Sequence, residues 1–141
     1  MFGLDGKHLV AVMLVAGTIT AGCGASKQDQ QQVKATTKQA YAALSDRNAG
    51  RFCRLLTTKL RRTVSQRATV QRGQSCTRVL GFVLNFGGRG ARFAKDPQVS
   101  DVKIDGDSAT VTVNQAGRKD GVGLAKENGA WRISAFDFKK L

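Results

Sequence analysis

Apolar positions along this chain follow three spacings in turn, and each marks a different kind of segment. Leu9 to Ala16 is an unbroken apolar octet, after which small residues continue to Gly22. From about Gln30 to Arg47, Val33, Thr37, Ala40, Tyr41 and Leu44 recur at helical spacing, which predicts one amphipathic helix closing near Asn48 and Gly50. Phe52, Leu55 and Leu56 mark a short second helix, and Leu60 and Val64 mark a weak third segment. Cys76, Val79, Leu80, Val83 and Leu84 mark a more apolar fourth, stopped by Gly87, Gly88 and Gly90. The stretch from Arg61 to Gln74 is polar and Arg-rich and reads as loop.

Beyond Pro97 the period falls to two. Val102 and Ile104 lead into Asp105-Gly106; Ala109, Val111 and Val113 then alternate with Thr110, Thr112 and Asn114, the pattern of a half-buried strand. Val122 and Leu124 follow the loop at Gly117, and Asn128-Gly129 turns the chain into Trp131 to Phe136. Four strands after the helices predict one α+β domain, with N-terminal helices packed on a four-stranded antiparallel meander. Trp131 and Ile133 belong on its covered face.

The apolar octet is too short to span a bilayer, which takes about 20 such residues. It suits an export signal, and the run Ile19-Thr20-Ala21-Gly22-Cys23 reads as the cleavage and lipidation site of a bacterial lipoprotein. Small side chains at Ala21 and Gly22 admit a peptidase, and the Cys23 thiol would carry diacylglycerol with acyl chains such as palmitate. An ordinary secretory signal and an uncleaved anchor are the alternatives. The expected division is residues 1–22 as signal, 23–31 as lipidated Cys23 and a polar tether, and 32–141 as the domain. The expected location is outside the cytoplasm, tethered by lipid to the bacterial cell membrane.

With Cys23 acylated, Cys53 and Cys76 remain, and a single pair in an exported chain is the simplest disulfide arrangement. Such a bridge staples two helices and contributes about 3 kcal/mol by loop-closure entropy; two buried free thiols are the alternative. The only histidine is His8, inside the signal. Catalysis through His and His-ligated metal sites are therefore excluded from the mature domain, and no metal or cofactor is expected. Asp105-Gly106-Asp107 lacks the further acids of a calcium loop and reads as a hairpin turn.

Charge is concentrated in the middle. The chain has 23 Lys and Arg against 10 Asp and Glu, a net +13, and no acid lies between Arg47 and Lys95. In an exported protein this stretch argues for anionic lipid or wall polymer rather than nucleic acid, each basic residue near such a surface contributing about 1 kcal/mol. Arg54, Arg61, Arg62, Arg67 and Arg72 are the candidate contacts. A cationic surface that aids only solubility is the other reading.

Tyr41-Ala42-Ala43-Leu44, the turn through Asn48 to Gly50, Phe52-Cys53-Arg54-Leu55-Leu56-Thr57, a second Cys76 on a later helix, Gly106 to Val111 and Asn128-Gly129-Ala130-Trp131-Arg132-Ile133 follow one another in an order that resembles small exported lipoproteins with a nuclear transport factor two-like, cystatin-like cone fold. The resemblance covers about residues 32 to 138. It implies a curved sheet wrapped around a long N-terminal helix, with a pocket at the open end that Tyr41, Phe82, Phe86, Trp131 and Phe136 would line. Three function classes follow: a non-catalytic envelope module acting through its surface, whose protein partner is unknown; a binder of a small ligand in the pocket; and, ranked last, an isomerase or cyclase. The last requires a buried carboxylate beside the Tyr41 hydroxyl, for which Asp137 is the sequence candidate.

Overall fold

In the computed structural model, residues 25–67, 74–87 and 93–141 are described; Cys23, the expected signal over residues 1–22, Arg72 and the glycines at 88 and 90 lie outside them. Helix α1 spans Lys27–Ser45. The Ser26 hydroxyl oxygen caps it by accepting from the Asp29 N–H at 3.0 Å, and the carboxylate of Asp29 lies in the first turn, where the helix dipole favours it. The helix thus starts five residues inside the stretch assigned to the tether. Polar Lys27 to Gln32 bury nothing apolar, so apolar periodicity alone could not detect that first turn and a half. Val33, Thr37, Ala40, Tyr41 and Leu44 form the buried stripe. Arg47 at φ 52 ends the helix, with the Asn48 N–H donating to Ala43 O.

Three short helices follow. α2 spans Ala49–Arg54, capped by the Asn48 side chain; α3 spans Thr58–Gln66, capped by Thr57; α4 spans Cys76–Phe82, capped by Ser75, and continues as a π-helical turn, Val83–Gly87. α3 corrects the expectation of a loop from Arg61. Leu60 and Val64, four apart, supply the inward face, and the basic residues between them are good helix formers that stay in solvent. Cys53 and Cys76 are joined by a disulfide that fixes α4 to α2.

The sheet is a plain meander. Strands β1 (Gln98–Asp105), β2 (Ser108–Gln115), β3 (Arg118–Glu127) and β4 (Ala130–Ala135) pair antiparallel in the order β1-β2-β3-β4. Two-residue turns join them, and the last two, Ala116-Gly117 and Asn128-Gly129, have positive φ at both positions, the geometry that matches strand twist. On one face Ala109, Val111, Val113, Val122, Leu124, Trp131 and Ile133 are buried beneath the helices. The outer edge of β4 is partly covered: the Thr57 N–H donates to Ile133 O and the Ile133 N–H to Leu55 O, a parallel bridge that brings the α2–α3 connection onto the sheet. No described helix is long and apolar enough to cross a membrane.

Candidate functional site

Strand parity carries two polar side chains onto the covered face. Gln115 continues the inward series Ala109, Val111, Val113, and Asp120 precedes Val122 and Leu124 in the same way; both are buried, and they meet across the Ala116-Gly117 turn. A buried carboxylate is costly without donors, and here it has three. Gln115 Nε2 donates to Asp120 Oδ2 at 3.0 Å, the Tyr41 hydroxyl donates to the same oxygen at 3.4 Å, and Lys140 Nζ donates to Oδ1 at 2.5 Å. Gln115 Oε1 in turn accepts from the Ala94 N–H at 2.9 Å. Desolvation pushes the Asp120 carboxyl up, but hydrogen bonds from Lys140 and Gln115 and the charges of Lys140 and Arg118 outweigh it, so the group sits below the ordinary range and is ionised at neutral pH. Burial first, then the Asp120 charge, raises the Tyr41 hydroxyl well above its usual value.

A carboxylate therefore does stand beside Tyr41, but it is Asp120 rather than Asp137. Asp137 is exposed and caps the C-terminal 3₁₀ turn, Phe138–Lys140, by accepting from the Lys139 N–H at 3.1 Å. Around Tyr41 the space is filled by rings. Phe93 and Phe136 meet it edge-on at 5.9 and 6.1 Å, and Phe52 packs on Phe136 and Phe138 at 5.4 and 6.4 Å.

The five aromatics expected to line one pocket do not come together. Tyr41 and Phe136 are neighbours, and Trp131 is buried at the other end of α1. Phe82 and Phe86 are 66% and 79% exposed on α4 and its π-turn. They lie four residues apart on one face, and that face has no described element over it. A shallow depression of about 380 Å³ lies instead at the β2–β3 turn, lined by Gln98, Asn114 to Gly117, Arg118 and Lys119. Among the described residues no three His, Cys, Asp or Glu side chains converge as metal ligands would.

A second polar cluster holds the other end of the domain. Trp131 Nε1 and Lys126 Nζ each donate to Asp29 Oδ1 at 2.9 Å, and the lysine lies 5.4 Å from the indole centre. The Trp131 hydrogen bond, followed by those from Lys126 and Ser26, lowers the Asp29 carboxyl to about 2. Next in sequence, Glu127 accepts from both the N–H and the hydroxyl of Thr58, which lowers its carboxyl below the usual range and fixes the first turn of α3. Successive residues of β3 thus hold the starts of α1 and α3.

The described basic candidates lie on α2 and α3. Arg61 and Arg62 are exposed on α3, with one guanidinium nitrogen of Arg61 donating to Leu56 O at 3.4 Å; Arg67 closes the helix, and Arg54 is exposed at the end of α2. Comparison with family models, curated proteins and solved structures finds no match to this chain.

Proposed function

We propose that this chain is an exported lipoprotein, acylated at Cys23, that works outside the cytoplasm as a non-catalytic module of the bacterial cell envelope and meets anionic lipid or wall polymer through its helical surface. The observation that carries this reading is the pairing of Asp29 with Lys126 and of Thr58 with Glu127, which ties the starts of α1 and of the acid-free helix α3 to successive residues of β3. With α1 starting at Lys27, only residues 24–26 separate it from Cys23. Three residues reach about 10 Å at most, so an acylated Cys23 would keep Lys59, Arg61 and Arg62 close to headgroups. The cystatin-like cone is part of the same reading, supported by a long first helix lying on an antiparallel sheet. A ligand pocket behind Tyr41 is not, because rings occupy that space.

The test is expression of the full chain in an exporting bacterium. Expected are a mature mass lacking 22 residues and carrying diacylglyceryl at the new N-terminus, recovery with membranes, and release of a Cys23→Ser chain from them. Recovery of the intact chain in the cytoplasm with Cys53 and Cys76 reduced overturns the proposal.

The buried Tyr41–Asp120 pair favours a second reading, proton-transfer chemistry at Asp120. It requires the segment Phe136 to Lys140 to move aside, since Lys140 occupies one carboxylate oxygen and Phe136 the space beside Tyr41. It also asks a carboxylate of lowered basicity to act as a base. Lys140→Met, which frees that oxygen, should still give no enolisation of a ketone substrate; activity gained there would favour this reading.

A further inference from the structure

Phe82 and Phe86 are the two large apolar side chains left in solvent among the described residues. Four positions apart, they share a face of α4 and its π-turn, with ring centres 5.3 Å apart and planes inclined at 35°. Arg78, four residues before Phe82, is exposed and extends the same stripe. The helix beneath is tied to α2. Cys76 is bonded to Cys53, a Cβ on Gly81 would come within 3.9 Å of the Ala49 methyl, and Asn85 Nδ2 donates to Gly81 O at 2.7 Å.

Area and charge decide what this face fits. The two rings expose together roughly 300 Å², taking about 200 Å² for a whole aromatic side chain. A stable dimer buries about 800 Å² per partner, so the pair is too small to hold a second copy, and a second copy would also bring its own cations against Arg78. A small apolar wedge flanked by cations suits a surface that is anionic outside and apolar a few ångströms below. α4 packs against both α2 and α3, and no Asp or Glu occurs in any of the three.

We propose that Phe82 and Phe86 insert into an anionic phospholipid bilayer, with Arg78 and the basic residues of α2 and α3 on the headgroups. This rests on the tethered reading above and narrows its target from lipid or wall polymer to lipid. The domain then lies along the membrane, held at two points: the acylated N-terminus, and a wedge beside the far end of α1, a helix of 19 residues and about 28 Å.

The experiment uses the full chain carrying Phe86→Trp, reconstituted into phosphatidylglycerol vesicles with brominated acyl chains. The native Trp131 is the only tryptophan and is buried with its N–H on Asp29, so the unsubstituted chain supplies the unquenched reference. Insertion predicts at least about twofold quenching of the introduced indole, absent in phosphatidylcholine vesicles without anionic lipid when Cys23 is replaced by serine. Unquenched emission from a chain that still floats with the vesicles overturns the wedge and leaves the tether intact. A chain that fails to float at all overturns both. Shielding of the introduced indole that grows with protein concentration and needs no vesicles shows a second copy on the face, and also overturns the wedge. In the Cys23→Ser background, Phe82→Ser with Phe86→Ser should lower affinity for anionic vesicles about tenfold; an unchanged affinity counts against insertion.

Discussion

The indole N–H of Trp131 donates to a carboxylate oxygen of Asp29, 102 positions earlier in the chain, and so ties the first turn of α1 to β4. The carboxylate is doubly useful there, since it also sits where the N-terminal helix dipole favours negative charge.

Acid should weaken this tie in a defined window. The folded-state pKa of Asp29 is lowered to about 2 from an ordinary 3.8, so its stabilisation is fully present above pH 3.8 and is lost as pH falls toward 2. Thermal melts of the native chain and of Asp29→Asn should differ by a constant gap from pH 5 to 7 and converge near pH 2. A gap that persists unchanged at pH 2 would show that Asp29 acts by packing alone.

Tyr41 gives an alkaline counterpart with a clean signal, because it is the only tyrosine. Its folded pKa is raised, so it stabilises the fold fully below the unfolded value near 10, and that contribution is lost as pH climbs beyond it. The tyrosinate absorbance near 295 nm should therefore rise only as the protein unfolds, not as a separate step at pH 10. Free titration at pH 10 with the fold intact would contradict the Asp120 contact.

Lys140→Ala should destabilise the domain by about 1–3 kcal/mol at pH 7, because a buried carboxylate loses its charged donor, whereas Tyr41→Phe removes one long hydrogen bond and should cost about 0.5 kcal/mol. Urea unfolding of both variants checks the order. Equal effects would mean that the ion pair is screened.

Removing the bridge between α2 and α4 by Cys53→Ala with Cys76→Ala should lower stability by about 3 kcal/mol from chain entropy. The loss should appear equally in the oxidised and reducing buffers for the variant, and only in reducing buffer for the native chain. Insensitivity of the native chain to reductant would show that no bridge forms.

Ala116 occupies a left-handed position, φ 44, in a turn where Asn is preferred before Gly117. Ala116→Asn should stabilise by about 0.5–1 kcal/mol by relieving that backbone cost. A lower urea midpoint for the variant would overturn this account of the turn.

Much of the sheet was legible because alternation is a local property. Val111 and Val113 alternate with threonines, and each short turn carries its glycine, so order and pairing followed. The same parity, extended one step, points Gln115 and Asp120 inward; reading only apolar residues for the core concealed the buried network. The start of α1 was missed for a related reason: its first turn is held by a cap and by partners about 100 residues away, neither of which leaves an apolar period. Phe82 and Phe86 show the opposite limit. Their spacing gives the face they share, but whether another element covers that face depends on how α4 packs against α2 and α3.

Lys126 and Glu127 grip the starts of two helices from the end of β3, an interior strand paired on both sides. A pull on the N-terminal end of α1 is therefore handed at once to the middle of the sheet. There the load is shared across ladders on either flank, instead of peeling the first helix away one turn at a time.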